Sequence, residues 1–336
     1  MTMTSSVDRS DFQSLYPFES HFLAGPAGRV HYVDEGPSDH QETFLMLHGN
    51  PTWSFFYRHL IQAFSDVHRV VAPDHLGCGL SDKPQDFDYT LENHIRNVER
   101  LVTSLDLRDI TLVVHDWGGA IGMGFAVRHP ELIRRIVVLN TAAFPSSRMP
   151  RSIALCRIPG FGAFMIRGLN AFSRAALRFC PKDHARMQKE VRAGYVAPYH
   201  DWASRVAQLR FVQDIPMTPE HPSYALLEEI GRKISMFVNH PMMIAWGRQD
   251  FVFNDHFYAE WRRRFPKAKA TVFEDAGHYV LEDAHERIIP LIGAFIDDTS
   301  EHGRARLGLS SSSGSRSESD SESSEIRGLE RAVSGL

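Results

Sequence analysis

Cysteine is scarce in this chain, with three in 336 residues: Cys78, Cys156 and Cys180. Their irregular spacing fits neither a disulfide framework nor a zinc site, so the expectation is a reduced, cytoplasmic protein. Long apolar runs are missing as well. None approaches the ~20 residues of a membrane span, and the polar opening Met1 to Ser10 does not read as a signal peptide. Charge of one sign is not in excess either: the net charge is −4 with the signs mixed. Without a basic stripe, nucleic acid is excluded as a partner.

What is present is an alternating pattern. Seven short apolar or β-rich runs lie at Arg29–Val33, Phe44–Leu47, Arg69–Ala72, Ile110–Val114, Ile136–Leu139, Met242–Trp246 and Ala270–Phe273. Segments of helical period, such as Leu60–Phe64, Leu91–Leu105 and Gly119–Arg128, separate most of them. Strands alternating with helices predict an α/β fold with a mostly parallel, doubly wound sheet, and a site beyond the carboxyl ends of its strands. Leu23 to Tyr32, around Gly25-Pro26-Ala27-Gly28, reads as an opening hairpin.

The alternation breaks between about Ala143 and Phe237. That stretch is helical in pattern and rich in Phe, Met, Leu and Arg, including Phe161, Phe164, Met165, Phe172, Phe179 and Phe211. It falls between the fifth and sixth parallel strands, so residues 143–237 are expected to form a helical cap over the sheet's carboxyl edge. Residues 1–142 and 238–298 then form the main domain. The aromatics of the cap have a plain use in packing, and some must line the pocket it closes. From about Thr299 the chain turns Ser-, Glu-, Arg- and Gly-rich and cannot bury enough apolar area to offset chain entropy, so 299–336 is expected to be a disordered tail.

The most informative segment is Val113-Val114-His115-Asp116-Trp117-Gly118-Gly119. An apolar strand runs into a tight turn and then a helix, the context of a nucleophile elbow, but aspartate stands where serine is usual. A serine that displaces a group from an sp³ carbon ends as an inert ether. A carboxylate ends as an ester, which water can cleave. Asp116 therefore points toward carbon–halogen bonds, epoxides or strained lactones attacked through a covalent ester. Read alone, it could equally be a buried or capping aspartate at a helix start.

Three further segments fall at strand ends. His48-Gly49-Asn50-Pro51-Thr52-Trp53-Ser54 follows the second run, where such folds place one oxyanion-hole N–H; the residue after the nucleophile, Trp117, supplies the other. The side chains of Asn50 and Trp117 are both neutral N–H donors, suited to a departing halide that gains charge in the transition state. Gly247-Arg248-Gln249-Asp250 follows the sixth run and offers a carboxylate to orient an imidazole. The alternative acid position after Ile136–Leu139 reads Asn140-Thr141-Ala142, with no carboxylate. Last comes Gly277-His278 after the final strand. Asp116, Asp250 and His278 then follow the chain order nucleophile, acid, base.

His48-Gly49-Asn50-Pro51-Thr52-Trp53, His115-Asp116-Trp117-Gly118-Gly119, Gly277-His278 and Asp74-His75-Leu76-Gly77-Cys78-Gly79-Leu80-Ser81-Asp82 together resemble the haloalkane dehalogenases of the α/β-hydrolase fold, from about Tyr16 to Asp297. The resemblance implies that Asp116 attacks the halogenated carbon, that Asn50 and Trp117 hold the halide, and that His278 with Asp250 activates water. It implies no metal or organic cofactor. The combination of Asp250 with Asn50 resembles the Asp-His-Asp branch, which also contains the β-lactone decarboxylases of bacterial olefin biosynthesis. Those share the same five residues, so the motifs do not separate the two activities. Carbon–halide hydrolysis is the leading expectation and β-lactone decarboxylation the alternative. An epoxide hydrolase with Tyr195 or Tyr199 as ring-opening acid ranks third. The partners expected are a small apolar halogenated or lactone substrate and a halide ion, with homo-oligomerisation left open.

Overall fold

In a computed structural model, which describes residues 7–37 and 42–300, the apolar runs all become strands of one sheet. Its members are β1 (His21–Leu23), β2 (Val30–Glu35), β3 (Thr43–Leu47), β4 (Arg69–Pro73), β5 (Ile110–Asp116), β6 (Ile133–Thr141), β7 (Met242–Gly247) and β8 (Lys269–Phe273). The order is β1-β2-β4-β3-β5-β6-β7-β8. β1, β2 and β4 pair antiparallel, and the expected opening hairpin is β1–β2. From β4 through β3 to β8 all pairing is parallel. β3 and β5 are buried at every position, which is why they read as continuous apolar runs rather than as alternation.

One placement needs correcting. The first of the seven runs lies in β2, which is antiparallel, so the long insertion falls between the fourth and fifth parallel strands in chain order, β6 and β7. Its described helices include Ala171–Phe179, Lys189–Val196, Val206–Gln213 and Tyr224–Lys233. Contacts gather Met1–Gly293 into one compact unit and leave Ala294–Leu336 as a second. The core under the sheet mixes both parts of the first unit. Ile95, Met123 and Phe125 from the main fold share one cluster with Val206, Phe211 and Ile230 from the insertion. Of the expected tail, residues 301–336 lie outside the described residues.

Candidate active site

The elbow is built as the sequence suggested. β5 ends at Asp116, whose φ of 50° and ψ of −127° lie outside the ordinary regions, and the helix Trp117–Arg128 starts at the next residue. Holding a non-glycine residue there costs about 1–3 kcal/mol, and the neighbours are small enough to allow it. A methyl group on Gly118 would run into the backbone carbonyl of Leu47, and one on Gly49 would overlap the Asp116 carboxylate itself. The Thr141 hydroxyl, at the end of β6, donates to the Asp116 carbonyl and pins the turn from the far side.

The Asn50 backbone N–H donates to Asp116 Oδ1 at 2.6 Å, and the Trp117 N–H also reaches the carboxylate. The expected oxyanion-hole amides therefore already reach the aspartate's carboxylate, Asn50 through Oδ1. The other oxygen, Oδ2, lies 3.6 Å from His278 Nε2. On the far side of the ring, His278 Nδ1 and Asp250 Oδ2 are 2.8 Å apart. All three side chains are buried. Burial lifts the Asp116 carboxyl above the ordinary aspartate value, against the opposing pull of His278 and the two amides. Burial works against an imidazolium at His278, but Asp250, with Asp116 behind it, outweighs that and raises the histidine.

Two sequence readings are refined. The Asn50 side chain lines the cavity, yet one of its N–H groups goes to the backbone carbonyl of Gln208, in the inserted helix Val206–Gln213, at 3.1 Å. One N–H remains for a ligand. The Trp117 indole also lines the cavity. Tyr195 and Tyr199, entertained as ring-opening acids, do not line it. The Tyr195 hydroxyl donates to Glu282 at 2.5 Å and the Tyr199 hydroxyl to the Thr52 carbonyl at 3.3 Å. The epoxide reading loses its acid donors.

Other residues were not legible from the sequence. Asn140, noted only for lacking a carboxylate, donates from Nδ2 to Asp250 Oδ2 at 2.9 Å and to the Gly247 carbonyl at 3.0 Å. Its Oδ1 accepts the Gly247 N–H at 2.7 Å. Asp250 Oδ1 takes the N–H groups of Val252 and Phe253, so both carboxylate oxygens are bonded. His115 donates from Nε2 to the His278 carbonyl at 2.8 Å, tying the loop of the histidine to the strand of the aspartate. The only hint of either was a polar side chain directly after an apolar run, His115 after Val114 and Asn140 after Leu139. The Asp74–Asp82 loop is tied to the site as well: His75 Nε2 donates to the His48 carbonyl at 2.9 Å, next to Gly49 and Asn50.

Above Asp116 lies a cavity of about 730 Å³, toward the upper end of the ~300–1,000 Å³ usual for ligand pockets. Asp116, His278, Asn50 and Trp117 occupy one part of its wall. Most of the rest is apolar and comes from the insertion, with Met165, Phe172, Phe179 and Val212 among the lining residues.

A family model described as the alpha/beta hydrolase fold matches residues 42–285. The cis-3-alkyl-4-alkyloxetan-2-one decarboxylase of Shewanella oneidensis is 47% identical over 292 residues, covering 85% of this chain and 91% of that one. Haloalkane dehalogenase 2 of Mycobacterium tuberculosis is 32% identical over 293 residues, covering 85% and 98%. Among solved structures, the haloalkane dehalogenase DbeA of Bradyrhizobium elkani superposes with a TM-score of 0.76 at 25% identity, covering 84% of this chain and 98% of the other. The chain belongs to the α/β-hydrolase fold family, in the group that holds the oxetan-2-one decarboxylases and the haloalkane dehalogenases.

Proposed function

We propose that this protein is a β-lactone decarboxylase acting on oxetan-2-ones with two long alkyl chains, which reverses the order of the two leading sequence expectations. The observation that carries the reading is the large, mainly apolar cavity ending on Asp116. Two alkyl chains need that volume and offer the wall nothing polar. The higher identity to the decarboxylase, 47% against 32% for the dehalogenase, supports it. Residues 143–237 serve as the cap that supplies this wall.

In the proposed chemistry, Asp116 Oδ2 attacks the sp³ ring carbon that bears the lactone oxygen. The carbon–oxygen bond breaks, leaving an aspartyl ester and a free carboxylate on the neighbouring carbon. That carboxylate then leaves as carbon dioxide, its bonding pair becomes the carbon–carbon double bond, and Asp116 departs with the ester's electrons. Inversion followed by anti departure keeps the two chains on one side, giving a cis-olefin. No water is consumed and no proton is transferred overall. The remaining N–H of Asn50 and the Trp117 indole steady the carboxylate as its charge develops. His278, oriented by Asp250, lies beside Asp116.

Dehalogenation is the second reading, favoured by the same two neutral donors and by a histidine within reach of Asp116. There a halide leaves first, and His278 must take a proton from the water that attacks the ester. Purified protein should be offered a long-chain cis-3,4-dialkyl oxetan-2-one and, separately, 1-bromoalkanes. We expect alkene and carbon dioxide from the lactone at a kcat/KM at least an order of magnitude above that for halide release. Asp116→Asn should abolish both, because an amide is a far weaker nucleophile. Halide release without alkene formation would reverse the order.

A further inference from the structure

The part of the insertion that rims the cavity differs in charge and exposure from the rest of the surface. Between Ser146 and Lys182 the chain carries six arginines, one lysine and no aspartate or glutamate. Elsewhere arginines such as Arg29, Arg69, Arg128 and Arg248 sit against carboxylates. In this stretch no cation forms an ion pair with a carboxylate among the described residues. Asp183, just beyond it, is taken up by Arg186.

The same stretch exposes large apolar side chains: Leu155 (53%), Ile158 (49%), Phe161 (45%), Phe164 (57%) and Phe179 (57%). Leu155, Phe161 and Phe179 are also cavity-lining residues, as is Arg148, so they mark its mouth. The helix Ala171–Phe179 shows the arrangement at close range. Ser173, Ala176 and Leu177 face inward, while Arg174 and Arg178 are exposed, the latter with its guanidinium 5.7 Å from the Phe179 ring. Large apolar side chains exposed at a cavity mouth beside charged ones mark a docking surface. Un-neutralised arginine beside exposed phenylalanine is the composition that seats in the headgroup layer of an anionic bilayer.

We infer that this face docks the enzyme peripherally on an anionic lipid surface, with the mouth of the cavity against the bilayer. A second copy is the wrong occupant, because the like-charged face of a twofold partner would repel it. The inference deepens the proposed function, since a substrate with two long chains partitions into membrane rather than water, and a mouth seated there receives it without crossing solvent.

The test is flotation of the full-length protein with vesicles of phosphatidylcholine alone or of phosphatidylcholine with phosphatidylglycerol. Binding is read directly, so it does not depend on which substrate is turned over. Two double variants away from the cavity lining accompany the wild type: Arg151→Glu with Arg174→Glu, and Ile158→Ser with Phe164→Ser. We expect binding only to the anionic vesicles, lost at high salt. The charge reversals should weaken it by at least about tenfold, given the contribution of each cation near an anionic surface, and the apolar pair should weaken it too. Both variants should turn over a short, water-soluble lactone like the wild type. Absence from anionic vesicles, or binding that neither double variant alters, overturns the proposal. So does self-association through this face that the reversals break, which would assign it to a protein partner.

Discussion

At the scale of single residues, the site turns on how His278 is charged. Asp250 raises its affinity for a proton despite burial, so near neutrality a larger fraction is imidazolium than for an ordinary histidine. Ester hydrolysis after halide loss needs the neutral ring, and its rate should fall as pH drops through that raised value. Decarboxylation needs only an ionised Asp116 and should persist to lower pH, until the carboxyl, itself lifted by burial, takes up a proton. The acid limb of the kcat profile should thus lie higher for a bromoalkane than for the lactone. Likewise, His278→Gln should trap an alkyl ester on Asp116 with a bromoalkane, visible by intact mass, and cost proportionally less on the lactone. Coincident profiles and equal losses would mean that both reactions need the base. Asn140 is a positioning residue in the same network. Asn140→Ala leaves the Gly247 N–H and one bond to Asp250 unmade, and should cost about 1–3 kcal/mol in urea unfolding. Asn140→Asp would add negative charge behind Asp250 and should move the histidine limb of the bromoalkane profile further up.

Among elements, one buried group joins three helices on the histidine side of the site. Arg58, in the helix Arg58–Phe64, meets Glu282 through both guanidinium ends at 2.5 and 2.7 Å. Glu282 belongs to Val280–Thr299, and its second partner, the Tyr195 hydroxyl, comes from the inserted helix Lys189–Val196. Tyr195 stacks on Tyr279 at 5.1 Å, the residue after His278. The attraction inside such a pair is largely offset by the desolvation of two charges, whereas an orphaned partner bears that cost uncompensated. Arg58→Met should therefore destabilise by about 3–5 kcal/mol. The double variant Arg58→Met with Glu282→Leu should recover most of that loss in denaturant unfolding. A double variant as unstable as the single one would mean that the ion pair contributes net stability.

For the molecule as a whole, the site lies where the sheet's connections make it available: at the carboxyl ends of β3, β5, β7 and β8, under an insertion leaving the end of β6. All of that lies within Met1–Gly293. Residues 301–336 lie outside the described residues and are Ser-rich and short of apolar side chains in sequence. Their deletion should leave kcat and KM on a water-soluble lactone within about twofold, because the described cavity lining comes from residues 50–278. Any effect should appear in solubility or self-association, through Ile326, Leu329, Val333 and Leu336. A folded but inactive truncation would show that the tail shapes the site.

The sequence by itself determined the strands and the chain order of the segments that carry Asp116, Asp250 and His278, because these are local. An apolar run bounded by turns reports its own burial, and a carboxylate at an elbow limits which bonds can be attacked wherever the chain later folds. Asp116, Asp250, His278, Asn50 and Trp117 were named on those grounds, and the tertiary structure brings Asn50, Asp116, Trp117 and His278 onto one cavity wall, with Asp250 behind the His278 ring. It alone decided what depends on residues far apart in the chain. The grip of Asn140 on Asp250 spans 110 positions, that of His115 on the His278 carbonyl 163, and the tether from Asn50 to Gln208 158. Tyr195 was one possible ring-opening acid, with packing the favoured role, and the fold places its hydroxyl on Glu282. The volume above Asp116 likewise comes from side chains that meet only when the insertion folds back over the sheet. No periodicity encodes a distance between separate elements, and so substrate size was the property the chain's local patterns left open.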